Sequence, residues 1–193
     1  MVLTLLRETL ATIREDVRTA RTKDPAATGK LTVALLYSGV HAVWGYRIAH
    51  TLWNRGFRFS ARFLSQLVRF LTGVEIHPAA EIGRRLFIDH GAGVVIGETA
   101  EIGDDVLLYH GVTLGGDSMR REKRHTTLES GVTIGANATL IGDITVGETA
   151  TVGAGSVAVD DVRTNATVVG VPAEPLDDDD PVRTKRLRTE LEG

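Results

Sequence analysis

Three histidines in the middle of the chain lie beside residues that could support acid–base chemistry. His90 follows Asp89 in FIDHGAG, His110 stands in LYHGVTLGG, and His125 follows Arg124 in REKRHTT. An imidazole has an unperturbed pKa of about 6.5, which suits a general base at neutral pH, and a nearby carboxylate can hold its tautomer. A lone histidine is more often structural or simply exposed, so a site requires that the fold bring several of these groups together.

The backbone that carries these histidines repeats every six residues from Ile76 onward. Hexads such as IHPAAE, IGETAE, IGDDVL, IGANAT and VGETAT open on an aliphatic residue, and their fifth residue is small or aliphatic. This short repeat predicts a triangular β-helix whose coils of about 18 residues stack as parallel strands ~4.8 Å apart. His90 and His110 both stand third in their hexads, three hexads and a two-residue slip apart. They are therefore expected on the same face of neighbouring coils.

One segment departs from the repeat, and another ends it. Residues 115–127 lack an inward aliphatic residue and are rich in Lys and Arg, so they are expected to leave the coil as a loop, the usual place for function on a regular scaffold. His125 could fold back over the coil from this loop or reach another chain. At the far end, Pro172 and Pro175 are expected to block further strand pairing.

The N-terminal residues have helical rather than six-residue periodicity. Leu3, Leu6, Leu10, Ile13 and Val17 recur at steps of three and four, and further helical patterns run over 33–53 and 61–71. The chain is therefore predicted to be α+β: a helical region (1–72), a parallel β-helix (73–173) and a charged tail (174–193), mobile or helical.

Composition narrows the class of protein. The 193 residues include no Cys, which excludes disulfides, thiolate metal sites and a cysteine nucleophile. The net charge is −3, but the first 70 residues hold 11 Lys and Arg against 4 Asp and Glu. Without a nucleic-acid motif, this basic segment is interpreted as solvated helix faces rather than as a nucleic-acid site. No signal peptide or membrane span is apparent, so a cytoplasmic protein is expected.

Two stretches carry a family resemblance that the bare repeat would not. EIHPAAEIGRRLFIDHGAGVVIGETAEIGDDVLLYHGVTLGG and VTIGANATLIGDITVGETATVGAGSVAVDDV resemble the serine O-acetyltransferases, which are hexapeptide-repeat acyltransferases of cysteine biosynthesis. The resemblance covers about residues 22–173 and includes the helical GVHAVWGYRIAHTLWNRG. It implies that the β-helix is left-handed and that the protein forms a homotrimer, or a hexamer made of two trimers.

The resemblance also implies a reaction: acetyl transfer from acetyl-CoA to the hydroxyl of L-serine, giving O-acetyl-L-serine and CoA. The family's catalytic histidine corresponds to His90 and its supporting carboxylate to Glu75. Asp24 and Asp89 correspond to acidic residues that contact the substrate amino acid. The remaining pair, Arg124 and His125, corresponds to residues that bind its carboxylate and help to hold the tetrahedral oxyanion.

Acetyl-CoA is the implied co-substrate, with no resident cofactor or metal. Its candidate contacts are Gly115, Gly116, Ala136, Gly170 and Ala173. Cysteine is implied as a feedback inhibitor that occupies the serine site. Many relatives dock a C-terminal isoleucine into O-acetylserine sulfhydrylase, and because this sequence ends RTELEG, the usual form of that complex is not expected.

Other interpretations stay open at the level of sequence. A related acyltransferase could act on homoserine, an amino sugar or a xenobiotic, and Asp24 should matter only for an amino-acid acceptor. A β-helical scaffold or a carbonic-anhydrase-like metalloprotein is a further alternative. The β-helical carbonic anhydrases have two zinc-binding histidines five residues apart, whereas the spacings among His77, His90, His110 and His125 are 13, 20 and 15. The resemblance does not assign a role to His110, and we expect it to tune His90 through their shared face.

Overall fold

The computed structural model describes residues 2–176, with side chains from residue 11 onward. Four helices come first: α1 (Val2–Lys23), α2 (Lys30–Leu36), α3 (Ser38–Asn54) and α4 (Arg58–Thr72). Among the described residues, no helix combines the length and the apolar character needed to cross a bilayer. The charged tail predicted for 174–193 lies outside the described residues from 177 onward.

One helix boundary differs from the expected pattern. The periodicity over 33–53 suggested one continuous helix, yet Tyr37 has extended backbone (φ −88°, ψ 104°) and separates α2 from α3. Neither Tyr37 nor its two neighbours, Leu36 and Ser38, is a Gly or Pro. Its cause is tertiary, because the Tyr37 hydroxyl donates a hydrogen bond to Asp24 and α3 then starts against the β-helix.

Short strands make up the rest of the described chain and confirm the parallel β-helix. They form a first sheet in the order β1-β4-β7-β10-β13, a second in the order β11-β8-β5-β2 and a third in the order β15-β14-β12-β9-β6-β3. Their bounds are β1 (Glu75–Ile76), β2 (Glu81–Ile82), β3 (Phe87–Ile88), β4 (Val95–Ile96), β5 (Glu101–Ile102), β6 (Leu107–Leu108), β7 (Thr113–Gly115), β8 (Thr127–Leu128), β9 (Thr133–Ile134), β10 (Thr139–Ile141), β11 (Thr145–Val146), β12 (Thr151–Val152), β13 (Val157–Ala158), β14 (Thr167–Val169) and β15 (Glu174–Pro175).

Strand register reproduces the predicted period. Val95 pairs with Thr113 and Thr139 pairs with Val157, each 18 residues further along the chain. The first coil is two residues longer, because Glu75 pairs with Val95. Thr113 pairs with Thr139, so the coil that contains the loop is eight residues longer. The slip and the loop are thus absorbed at corners without disturbing the pairing of the strands.

The inward-facing positions form the core of the coil. Ile96, Leu108 and Ile134 open their hexads, Val106 and Val112 stand fifth, and all five are at most 1% exposed. Full burial of such a side chain contributes about 1.5–3 kcal/mol. Apolar stacking between coils is therefore what stabilises this part of the fold.

The expectation that Pro175 blocks strand pairing is wrong. β15 pairs antiparallel with β14, with Val168 opposite Pro175 and Val169 opposite Glu174. A proline lacks only the N–H donor and is tolerated on an edge strand. The next residue, Leu176, donates its N–H to the carbonyl of Thr167 at 2.8 Å and closes the pair.

A buried carboxylate joins α1 to α3. Asp16 is 3% exposed and accepts hydrogen bonds from the Trp44 indole at 2.9 Å and from the guanidinium of Arg47. Nearby, Val17 of α1 and Val40 of α3 pack on Phe87 of β3. The helices are therefore fixed against the end of β3, directly before Asp89 and His90.

Gly39 allows α3 to touch β3. A Cβ built at Gly39 would lie 2.0 Å from the carbonyl oxygen of Ile88. The preceding residue, Ser38, donates its hydroxyl to the carbonyl of His90 at 2.9 Å. These contacts on either side of Asp89 determine the path of the chain through Asp89 and His90.

We expect Gly39→Ala to lower the free energy of unfolding by about 1–3 kcal/mol, because α3 must move away from backbone atoms. Chemical denaturation would measure this change. Gly29→Ala is the control, since a Cβ there meets only the Thr32 hydroxyl oxygen at 3.8 Å. Equal losses in the two variants would contradict the proposed contact.

Candidate active site

His90 lies at the corner where the chain passes from the third sheet to the first, which we call the His90 corner. Its backbone is in the left-handed region (φ 59°), and its side chain is 74% exposed. His110 lies one coil further, and the two rings meet edge to face with centroids 5.9 Å apart. The predicted adjacency of these histidines is confirmed.

A cleft of about 310 Å³ opens at the His90 corner, between the β-helix and the helices. The Asp24 carboxylate in it accepts the Ala26 N–H at 2.7 Å and the Tyr37 hydroxyl. That hydrogen bond to Asp24 raises the pKa of Tyr37 to about 12. The structure thus brings together an imidazole and two carboxylates, with these polar residues among the lining: Asp24, Tyr37, Ser38, Asp89 and His90.

The carboxylates around His90 differ from the expected arrangement. Glu75 was expected to orient His90, but its carboxylate pairs with the guanidinium of Arg69 at 3.0 Å. Arg69 stands in the last turn of α4, and its fixed positive charge attracts the Glu75 carboxylate. Asp89 approaches His90 instead, with 3.7 Å between Oδ2 and Nε2, which is too long for a hydrogen bond.

Arg124 lies at a different corner, where the chain passes from the first sheet to the second. We call this the Arg124 corner. The guanidinium of Arg124 donates to Glu98 at 2.8 Å, and this hydrogen bond lowers the pKa of Glu98. Beside it, the Lys123 ammonium bonds the Thr99 carbonyl at 2.8 Å and Glu101 at 3.0 Å. The loop is therefore held against the segment that follows β4.

His125 is the best-buried histidine of the Arg124 corner, with 7% exposure. Its ring lies on Gly97, where a Cβ would stand 2.0 Å from Cδ2. Its Nδ1 is 2.8 Å from the Thr99 hydroxyl oxygen. Burial, with a smaller effect from the Arg124 charge, lowers the pKa of His125. Both effects favour the neutral form of the ring.

The predicted site residues therefore form two groups in one chain. Asp24, Asp89 and His90 share the His90 corner, whereas Arg124 and His125 lie at the other end of the first sheet. One face of the coil separates the groups, roughly 15 Å at the rise of an extended chain. The loop does not fold back over His90.

The candidate acetyl-CoA contacts divide in the same way. Strand register runs from Leu108 through Ile134 and Val152 to Val168. The residues two positions further on, His110, Ala136, Ala154 and Gly170, therefore form a column above His90. Ala173 follows this column and donates its N–H to Val157 of β13 at 2.8 Å. At the other corner, a Cβ on Gly116 would come within 3.1 Å of His125 Nε2, and Gly115 ends β7 beside it.

Sequence reasoning missed several polar groups that organise both corners. Tyr37 and Ser38 contact Asp24 and His90, while Glu98 and Thr99 hold the loop. The sequence did contain one signal for Glu98 and Thr99, because the four-residue motif GETA that includes them at 97–100 occurs again at 147–150.

His110 keeps one polar atom without a partner. Its Nδ1 is buried and has no hydrogen bond from the residues that the structure describes. Over the same residues, no group of three or more His, Cys, Asp or Glu side chains could hold a metal ion. The arrangement is suited to proton transfer and to binding of ammonium and carboxylate groups.

His77 generates a prediction about stability and pH. Burial lowers the pKa of His77 from 6.5 to about 4. Between those values the unfolded chain binds a proton that the folded chain does not, so folding stability falls as the pH decreases from 6.5 to 4. We expect His77→Asn to lose less folding stability over this pH range. The amide oxygen of the asparagine can accept the Ala79 N–H as His77 Nδ1 does.

Melting temperatures at pH 7, 5.5 and 4.5 would measure this dependence. The melting temperature of the wild type should fall more than that of the variant between pH 7 and pH 4.5. Parallel curves for the two proteins would show that His77 does not cause the acid sensitivity.

Known proteins provide an independent comparison. No family model matches the chain. It is 54% identical over 172 residues to a serine acetyltransferase of Mycobacterium tuberculosis, covering 89% of this chain and 75% of the relative. A second serine acetyltransferase, from Helicobacter pylori, is 56% identical over 157 residues, covering 81% and 92%.

Solved structures agree with the sequence relatives. A soybean serine acetyltransferase complexed with serine superposes with a TM-score of 0.84 at 43% identity, covering 86% of this chain and 68% of that one. A serine acetyltransferase in complex with coenzyme A from Brucella abortus has a TM-score of 0.86 and is 38% identical, and the match covers 90% of this chain and 70% of that one. A serine acetyltransferase in complex with cysteine has a TM-score of 0.86 and is 39% identical, and the match covers 89% of this chain and 71% of that one. The expected left-handed β-helix after N-terminal helices is confirmed. By sequence and by fold, this chain belongs to the serine acetyltransferase family.

Proposed function

We propose that this protein transfers an acetyl group from acetyl-CoA to the hydroxyl of L-serine, and that the β-helix of residues 73–173 carries the reaction. The observation that carries the proposal is the cleft in which Asp24 and Asp89 flank the exposed imidazole of His90. Such a pocket can bind an ammonium group beside a base. The solved relatives with serine and with coenzyme A support the two substrates.

His90 acts as the general base. Its ring takes the proton of the serine hydroxyl while the serine oxygen attacks the thioester carbonyl carbon. The tetrahedral intermediate then collapses, the C–S bond breaks, and the CoA thiolate takes the proton back from His90. The edge-to-face contact with His110 helps to hold the His90 ring for both transfers.

Charge complementarity selects an α-amino acid. The Asp24 and Asp89 carboxylates bind the ammonium of serine, and Tyr37 and the Ala26 N–H hold Asp24 in place. Arg124 binds the carboxylate of serine in a charge-assisted pair. His125 donates to that carboxylate or to the tetrahedral oxygen.

A complete site requires two protomers. The His90 corner and the Arg124 corner of one chain are separated by a face of the coil, so the Arg124 corner must come from a neighbouring copy. A ring of three protomers satisfies every such contact, because each chain presents one corner of each kind. We therefore propose a homotrimer, alone or paired as a hexamer, with a site at each junction.

Acetyl-CoA lies along the junction in this proposal. The small residues Ala136, Ala154 and Gly170 stand above His110 at successive coils, ~4.8 Å apart. They leave a track for the pantetheine arm that ends at His90. Ala173 borders the far end of this track, and Gly115 and Gly116 of the neighbouring protomer border its other side.

Cysteine is the proposed feedback inhibitor. It has the ammonium and carboxylate of serine with a thiol in place of the hydroxyl, so the same groups would bind it. The solved relative in complex with cysteine supports this assignment. Inhibition should therefore be competitive with serine.

Thiol release from acetyl-CoA tests the reaction and the acceptor together. We expect L-serine to be acetylated faster than L-homoserine or glucosamine. His90→Ala should lower turnover with serine by about 10²- to 10⁴-fold, because the general base is removed. Melting temperature and oligomeric mass serve as controls for folding. Near-wild-type turnover in His90→Ala would remove His90 from this role, and faster reaction with glucosamine would overturn the acceptor assignment.

Mixing two inactive variants tests the shared site. His90→Ala and Arg124→Ala should each be nearly inactive alone. When they are co-expressed, random assortment in a closed ring restores about a quarter of the sites, those with an intact His90 facing an intact Arg124. Steady-state rates of the purified mixture measure the recovery. A mixture as inactive as its components would contradict a site built from two chains.

A further inference from the structure

Thr99 makes an unusual number of contacts with the loop at the Arg124 corner. Its hydroxyl oxygen is 3.0 Å from the backbone nitrogen of Arg124, 3.2 Å from that of His125 and 2.8 Å from His125 Nδ1. The backbone nitrogen of Thr99 is also 3.3 Å from His125 Nδ1. One residue thus bonds both the backbone and the ring of the segment that is proposed to bind the substrate carboxylate.

The direction of these hydrogen bonds follows from chemistry. A backbone N–H can only donate, so His125 Nδ1 must present its lone pair to Thr99. The two lone pairs of the hydroxyl accept the N–H groups of Arg124 and His125, which leaves the hydroxyl proton free to point at Nδ1. A neutral imidazole that accepts at Nδ1 carries its proton on Nε2.

The protonated side of the ring lies between two glycines. A Cβ on Gly97 would come within 2.2 Å of Nε2, and one on Gly116 within 3.1 Å. The glycines therefore keep this side of the ring clear of side chains. Nδ1 is occupied by Thr99, so Nε2 is the ring nitrogen left to bond a substrate group.

We propose that Thr99 is a positioning residue that fixes His125 as the neutral tautomer with its proton on Nε2. His125 then acts as a hydrogen-bond donor to the substrate, and His90 is the only base of the pair. This inference rests on the proposed function for the identity of the substrate. The tautomer itself follows from contacts within one chain.

Charged groups around the ring act on His125 in both directions. Arg124 and Lys123 oppose a proton on it, Glu98 and Asp117 favour one, and burial has the largest effect. The Thr99 bonds add to burial, because hydrogen bonds donated to Nδ1 stabilise the neutral ring. A Thr99 that only tied the loop to the coil would not influence the tautomer.

The second GETA motif offers a matched control. Thr149 occupies the same place in GETA, but its hydroxyl bonds Asn165 and no histidine. Thr99→Val removes the hydroxyl at constant shape, Thr99→Ser retains it, and Thr149→Val makes the same change away from His125. Melting temperature and oligomeric mass of all three report on folding.

Long-range ¹H–¹⁵N correlation spectra of histidine-labelled wild type measure the tautomer and pKa of His125. We expect the Nε2–H form at neutral pH, and a higher His125 pKa in Thr99→Val than in wild type or Thr149→Val. An Nδ1–H tautomer or a protonated His125 at neutral pH in the wild type would overturn the proposal. So would a His125 pKa unchanged by Thr99→Val.

Kinetics supply the second readout. We expect Thr99→Val to lower kcat/KM for L-serine by about 10- to 100-fold, by analogy with the loss when the hydrogen-bond partner that orients a metal-binding histidine is removed. Thr99→Ser should restore most of it, and Thr149→Val should match wild type. Wild-type kcat/KM in Thr99→Val would overturn the positioning role. If the wild type failed to acetylate serine while the spectra still showed the Nε2–H form, the proposed reaction would fail and the tautomer assignment would stand.

Discussion

Residue-by-residue pairing between successive coils is the constraint on which the rest of the structure depends. Inward aliphatic residues such as Leu108 and Ile134 stack directly on one another, and a slip of one residue would turn them outward. The pairing therefore sets which outward residues become neighbours. His90 and His110, 20 positions apart in the chain, meet edge to face for this reason.

The helical region supplies part of the cleft beside His90. Asp24 is far from His90 in sequence and reaches its cleft because α1 and α3 pack on Phe87 of β3. The close approach of Gly39 to Ile88 and the buried pair of Asp16 and Arg47 hold this arrangement. A solenoid alone would present an imidazole on an edge, and the helical region converts that edge into a pocket with carboxylates.

The two corners differ in how their charges are arranged. At the His90 corner the imidazole is exposed and its nearest carboxylate is 3.7 Å away, so the ring is open to a substrate in the cleft. At the Arg124 corner the groups are paired within the chain, Arg124 with Glu98 and His125 with Thr99. One corner is suited to moving a proton and the other to holding charge in fixed places, and the proposed trimer would combine them at a junction between protomers.

The sequence by itself determined the coil, because a six-residue period of inward aliphatic residues is a local pattern that fits only one kind of backbone. The sequence also determined that His90 and His110 lie close together, since strand register follows from counting residues. The candidate site residues came from the family resemblance. Only the tertiary structure decided the break at Tyr37, the pairing of Glu75 with Arg69 and the strand at Pro175, because each depends on a partner distant in sequence. The same holds for the separation of His90 from Arg124. A loop of charged residues has no periodicity that could say which corner it covers, and the bonds to Glu98 and Thr99 settle that question.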